Sequence, residues 1–204
     1  MARPREFDEK AAITAARQQF WRHGYDGTSM AALSEAMGLG SQSIYGAFGS
    51  KHGLFLRTLE DYCSSQMEGL AASEDNATSA WAWLMAAVTF DDGGRLGLGE
   101  DGCYLSGSTV ARARLDEEVQ KASKRTYARI LRTFKTALRR AHEEGELREE
   151  VDLDDVALAL LTAMQGIEFL RKSGIAGRQF AKAKAAAVDT LTRAYAVDGL
   201  GVVR

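Results

Sequence analysis

Proline occurs once in this chain, at Pro4, so nothing from Arg5 to Arg204 carries the residue that most strongly interrupts a helix. Alanine, the best helix former, occurs 33 times among the 204 residues. An all-α fold is therefore expected, and a chain this long buries a sizeable core without disulfide or metal staples. Cys63 and Cys103 show no CxxC spacing, which suggests neither a disulfide framework nor a four-ligand zinc site and fits a reducing cytosol. His23, His52 and His142 share no ligand-like spacing, so no metal and no cofactor is expected. The polar start MARPREFDEK lacks the apolar stretch of a signal peptide, and no apolar run of about 18 residues occurs. A soluble, cytoplasmic protein without a membrane partner is the expectation.

Ile13, Ala16 and Phe20 recur at helical spacing within residues 8–23, and Gly24 supplies a stop. Thr28 or Ser29 then offers an N-cap for a short helix over residues 30–37 with Leu33, Ala36 and Met37 inward. Gly38-Leu39-Gly40 breaks that helix, and residues 41–48 return at once to helical composition. Two short helices around a three-residue glycine turn read as a helix-turn-helix. Ser50 caps a longer helix containing Leu54, Phe55, Leu59 and Tyr62. Beyond it come an apolar helix over residues 81–90 and a glycine-rich loop over residues 91–102. A long helix over residues 115–142 sets Val119, Phe134 and Ala141 against a solvated basic stripe that includes Lys121, Arg125, Arg132 and Arg139. An alanine-rich terminal pair begins at Asp152 and ends near Val197. The expected architecture is a three-helix DNA-binding domain at residues 1–50, then a larger helical regulatory and dimerisation domain at residues 51–204, about nine helices in total.

A helix-turn-helix reads DNA because its second helix is short, polar at its N-terminal end and held at a fixed angle by the first. Ser41, Gln42 and Ser43 occupy that polar end. Gln42 can present an amide donor and acceptor to an adenine edge, the two serine hydroxyls can reach bases or phosphates, and Gly46 and Ala47 are small enough for close approach to the groove floor. The formal net charge of −2 excludes a globally basic coat, so any nucleic-acid footprint is local. Arg3 and Arg5 precede the first helix and read either as an arm onto DNA or as a solubilising tail.

The ordered set Phe20, Gly24, Tyr25, Thr28 and Ser29, then Leu33, Ala36, Gly38, Ile44, Tyr45, Phe48, Lys51, Leu54 and Phe55, strongly resembles the TetR family of transcriptional repressors. The resemblance spans roughly residues 7–59. It implies a dimer with an N-terminal DNA-binding domain and a C-terminal helical domain that binds an inducer. Tyr45 and Lys51 match family positions that contact phosphates, and Thr28 or Ser29 matches a hydroxyl that meets the DNA backbone. Two positions depart: Gly40 stands where many members carry a serine N-cap, and Ala47 where many carry an aromatic residue. The expected function is a regulator released from a pseudo-palindromic operator by a small-molecule or thiol-reactive inducer.

One such domain makes too few contacts for a tight specific site, so two copies are needed, and the alanine-rich terminal helices permit a four-helix interface in a homodimer. Candidate effector-lining residues are Trp81, Met85, Phe90, Cys103, Tyr104, Tyr127, Phe134 and Met164, the large apolar side chains of the helices that would surround a cavity. Cys103 follows the glycine-rich stretch at a helix start, where backbone donors lower a thiol's pKa. The Gly-Cys step resembles a subset of TetR-like repressors in which such a cysteine responds to electrophiles or oxidants, although an inert buried cysteine is the commoner fate. No Ser-His-Asp set, phosphate-cradling loop or paired-carboxylate site falls on this helical map, so an enzyme is not expected. The alternative is a helical small-molecule-binding or thiol-dependent protein that uses Cys103 without binding DNA.

Overall fold

A computed structural model describes residues 7–91 and 102–200. Among these, nine helices follow in order: α1 (Glu9–Gly27), α2 (Met30–Met37), α3 (Ser41–Phe48), α4 (Lys51–Asp75), α5 (Ala80–Thr89), α6 (Tyr104–Arg112), α7 (Glu117–Glu143), α8 (Leu153–Lys172) and α9 (Gly177–Tyr195). The expected punctuation is visible in the backbone: Gly24 interrupts α1 at φ 71°, and Gly38 closes α2 in the left-handed region at φ 64°. Asp8, Ser29, Ser50, Ser79, Asp116 and Asp152 each accept a backbone N–H of the helix they open, which satisfies donors the helix cannot satisfy itself. The long helix begins after Asp116, two residues later than its composition predicts, because Asp116 and not Leu115 is the cap. Most of the glycine-rich stretch predicted at residues 91–102 lies outside the described residues.

Two apolar cores form. The first gathers Ala16, Phe20, Leu33 and Ile44 from α1 to α3 with Leu54, Phe55, Leu59 and Tyr62 of α4, Tyr104 and Leu105 of α6 and Val119 of α7. Its packing thus runs past residue 50: the first turns of α4 are as much a part of the small helical unit as α1. The second core joins α5, α7 and α8 through Trp81, Leu84, Met85, Phe134, Leu138 and Leu160. Each such side chain taken fully out of water contributes about 1.5–3 kcal/mol. Glu146, beyond α7, accepts the Trp81 N–H at 2.8 Å and so places a carboxylate at the positive end of α5. The basic stripe of α7 is solvent-exposed, as its spacing predicts. On α9 only Leu191 is buried, and Ala181, Ala185 and Ala186 face outward.

Candidate DNA-reading face and effector pocket

Ile44 is wholly buried and anchors α3 in the first core, which turns the opposite side of this two-turn helix to solvent. Ser41, Gln42, Ser43, Tyr45, Gly46 and Ala47 are all exposed there, Tyr45 at 48 %. Gly40 caps α3 without any side-chain bond; instead the Ser41 hydroxyl meets that of Ser34 on α2 at 3.0 Å, which links the two helices of the motif. Lys51 opens α4, with Nζ lying 4.4 Å from the centre of the Tyr25 ring in a cation–π contact. Ser29 is exposed and caps α2 through the Ala32 N–H at 3.1 Å. Thr28 corrects the sequence reading: it is 1 % exposed and its hydroxyl donates to the Gly24 carbonyl at 2.7 Å, so it locks the α1–α2 corner and has no surface to offer a phosphate. Arg3 and Arg5 lie outside the described residues.

This unit is braced against the rest of the chain. Arg112, the last residue of α6, donates through Nη1 to Asp26 at 3.1 Å and stacks its guanidinium 4.1 Å from the Tyr25 ring centre. His52, next to Lys51, makes a 2.8 Å hydrogen bond to the Asp116 carboxylate, which also caps α7.

A pocket lies among α4, α5, α6, α7 and α8, with about 60 Å³ of free space. Phe90, Cys103, Tyr127, Phe134 and Met164 line it as the sequence suggests. Trp81, Met85 and Tyr104 do not. Trp81 and Met85 are core residues of α5, the former donating its indole N–H to Thr192 at 3.2 Å, and Tyr104 turns the other way to share a 2.9 Å hydrogen bond with Thr58. The pocket's polar groups, Gln66, Thr126 and Gln165, were missed because amides and hydroxyls on a helix carry no apolar periodicity; so were Tyr62 and Cys63 on α4.

Cys103 caps α6 as expected, its sulfur accepting the Ser106 N–H at 3.5 Å. Its acidity does not follow. Burial pushes the thiol up, and the Ser106 N–H and the Tyr62 hydroxyl, which donates to the sulfur at 3.6 Å, do not reverse this. Burial likewise raises Cys63 to about 11 and Tyr127 to about 12. Burial thus disfavours the charged forms of the pocket's thiols and phenols, and the largely apolar wall suits small apolar molecules.

A short helix with a polar exposed face thus stands proud of a small helical core that is braced against a helical body with an internal pocket. Residues 12–58 match the family model described as bacterial regulatory proteins, tetR family. The chain is 28 % identical over 179 residues to the HTH-type transcriptional repressor ComR of Escherichia coli, covering 84 % of this chain and 83 % of that protein. A TetR-family regulator from Cytophaga hutchinsonii superposes with a TM-score of 0.82 at 19 % identity, covering 95 % of this chain and all of the other. A cysteine mutant of the TetR-family regulator CifR, solved with 26-base-pair operator DNA, superposes at 0.72 with 29 % identity over 94 % of this chain and 99 % of its own. Residues 12–58 thus carry a tetR-type DNA-binding domain, and the likeness of most of the chain to TetR-family repressors supports a DNA-binding transcriptional regulator and not an enzyme.

Proposed function

We propose that this chain is a cytoplasmic homodimeric repressor that leaves a pseudo-palindromic operator when a small apolar or thiol-reactive molecule enters the pocket beside Cys103. The observation that carries this reading is the exposed polar face of α3 over a buried Ile44. In it Gln42 reads a base edge, Ser41 and Ser43 contact bases or phosphates, Gly46 permits close approach, and Tyr45, Lys51 and Ser29 hold the DNA backbone. Residues 1–50 serve as the reading unit and residues 51–204 as the regulatory and dimerising body, with the first turns of α4 shared between them. The alanine face of α9, with Leu158 and Phe169 of α8 exposed at 52 % and 69 %, supplies the dimer surface.

Release follows from the length of α4. Tyr62, Gln66 and Met67 wall the pocket and Lys51 stands at the other end of the same helix. A pocket of about 60 Å³ admits little more than two water molecules, each about 30 Å³ in the liquid, so a larger occupant moves its walls. A tilt of α4 then changes the separation of the two recognition helices and spoils their one-turn spacing on DNA.

The test is a gel shift with DNA flanking the chain's own gene at two salt concentrations, comparing the native chain with Gln42→Ala and Tyr45→Phe. A discrete, salt-sensitive complex weakened in both variants is expected, together with its loss when an apolar electrophile such as N-ethylmaleimide is added. Failure on flanking DNA and in a random-site selection would sink the repressor reading and leave a ligand-binding protein organised around Cys103.

A further inference from the structure

A second cavity, of about 140 Å³, lies on the seam between the DNA-reading helices and the regulatory body. It shares no wall residue with the pocket beside Cys103. Aromatic rings from three helices form much of its wall: Trp21 and Tyr25 of α1, Phe55 of α4 and Tyr104 of α6. Trp21 and Tyr104 lie 5.5 Å apart between centres, and Tyr25 and Phe55 meet edge-on at 5.1 Å.

The two charged residues in that wall are both cations, Arg112 of α6 and Lys172 of α8. Their carboxylate partners, Asp26, Asp116 and Glu168, stand outside it. Arg112 spends Nη1 on Asp26, but among the described residues its buried Nε meets no hydrogen-bond acceptor, Asp116 being 3.7 Å away. Among the described residues Lys172 donates to the Cys103 carbonyl at 3.0 Å and stands 3.7 Å from Glu168 Oε1, and an ammonium has three donors. Gly107 makes room for it: a Cβ there would stand 2.6 Å from Lys172 Nζ. A buried N–H left without an acceptor is costly, and a ligand oxygen would offset that cost. A cavity of about 150 Å³ accommodates benzene, so this one suits a single six-membered ring.

We propose that the seam cavity is a second ligand site that takes a monocyclic aromatic carboxylate, its ring among Trp21, Tyr25, Phe55 and Tyr104 and its carboxylate toward Arg112 and Lys172. An occupant there bridges α1, α4, α6 and α8. It opposes any movement of the reading helices away from the regulatory body, so its binding is linked to operator affinity.

The test uses the full chain with benzoate as the probe, read by calorimetry and by tryptophan fluorescence, Trp21 being in the wall. Saturable binding of one benzoate per chain is expected. Benzyl alcohol, which keeps the ring without the charge, and acetate, which keeps the charge without the ring, should each bind at least about ten-fold more weakly. Lys172→Met and Gly107→Ala should weaken benzoate by a similar factor, whereas Met164→Phe, in the other pocket, should leave it unchanged. Melting curves of each variant without ligand separate lost binding from lost folding. No saturable uptake, equal binding of benzyl alcohol, or sensitivity to Met164→Phe with indifference to Lys172→Met would each overturn the proposal. None of these readouts involves DNA, so the outcome is independent of the repressor reading.

Discussion

Glu168 on α8, fully buried, accepts the backbone N–H of Cys103 at 2.7 Å and thereby ties the start of α6 to a helix sixty-five positions away in sequence. The same carboxylate takes Arg171 Nη2 at 2.7 Å. Gly102 is doubly required beside it: φ is +80°, and a Cβ would lie 2.7 Å from Glu168 Oε1 and 2.1 Å from Arg171 Nη2. Removing one partner of a buried ion pair costs about 3–5 kcal/mol, and a domain of this size loses roughly 2–4 °C per kcal/mol. Glu168→Ala should therefore lower Tm by about 6–20 °C, with Glu168→Gln, which keeps an acceptor for Cys103, falling less. A melt of Glu168→Ala within a degree of the native chain would show that the latch contributes nothing.

Asp116 joins α4, α6 and α7. Burial pushes its carboxyl up, but the Val119 N–H, His52 and Arg112 outweigh this and hold it below its ordinary value of 3.8. A depressed carboxyl stabilises the fold above the unfolded value and loses that contribution as pH falls through the folded one. Asparagine caps a helix about as well as aspartate, so Asp116→Asn isolates the charge. It should lower the urea midpoint at pH 7, and the gap from the native chain should close on acidification below about pH 3.8.

The helix-turn-helix was legible because its signals are local. Gly24, Gly38 and Gly40 punctuate the chain, and Ile44 falls on the buried side of a two-turn helix whose other positions are small or polar. Thr28 was misread because a hydroxyl at a helix start looks alike whether it faces DNA or the Gly24 carbonyl. The pocket was only half legible, since its wall is assembled from α4, α5, α6, α7 and α8 and helical periodicity shows what faces inward without showing which neighbour it meets. Trp81 and Met85 obey the same periodicity as Phe134 and Met164 yet fill core, and Tyr104 faces the seam cavity instead. Cys103 shows the limit most clearly: its position at a helix start is local and was read, whereas the burial that raises its thiol is tertiary.

Cys63 offers an alkaline counterpart to Asp116. Burial raises its thiol from 9.0 to about 11, against the lowering effect of Thr126. For a group whose folded value is raised, the stabilisation is complete below the unfolded value and fades as pH climbs through the folded one. The Cys63 contribution, on the order of 2–3 kcal/mol, is thus present below about pH 9 and lost between 9 and 11. The stability difference between the native chain and Cys63→Ala should shrink across that window in urea titrations. A constant difference would mean that packing alone accounts for the cost of the substitution.

Lys51 opens α4 and Gln42 lies on the first turn of α3, and the different work proposed for them is separated by salt. A phosphate contact acts by releasing a counterion from DNA, so its removal weakens binding to every sequence and flattens the dependence of log K on log salt by about 0.9 per contact. A base contact releases none, and its loss costs about 1–3 kcal/mol at one position of the site while the salt slope stays as it was. Lys51 carries a charge at the start of α4, and Gln42 is exposed on the first turn of α3. Lys51→Met should therefore flatten the slope measured by fluorescence anisotropy by about 1.8 in a dimer, across operator and random DNA alike. Gln42→Ala should leave the slope intact and lose preference at one symmetric pair of bases. If Gln42→Ala flattened the slope and Lys51→Met did not, the two side chains would have to exchange roles, and α3 would lie along the backbone instead of in the groove.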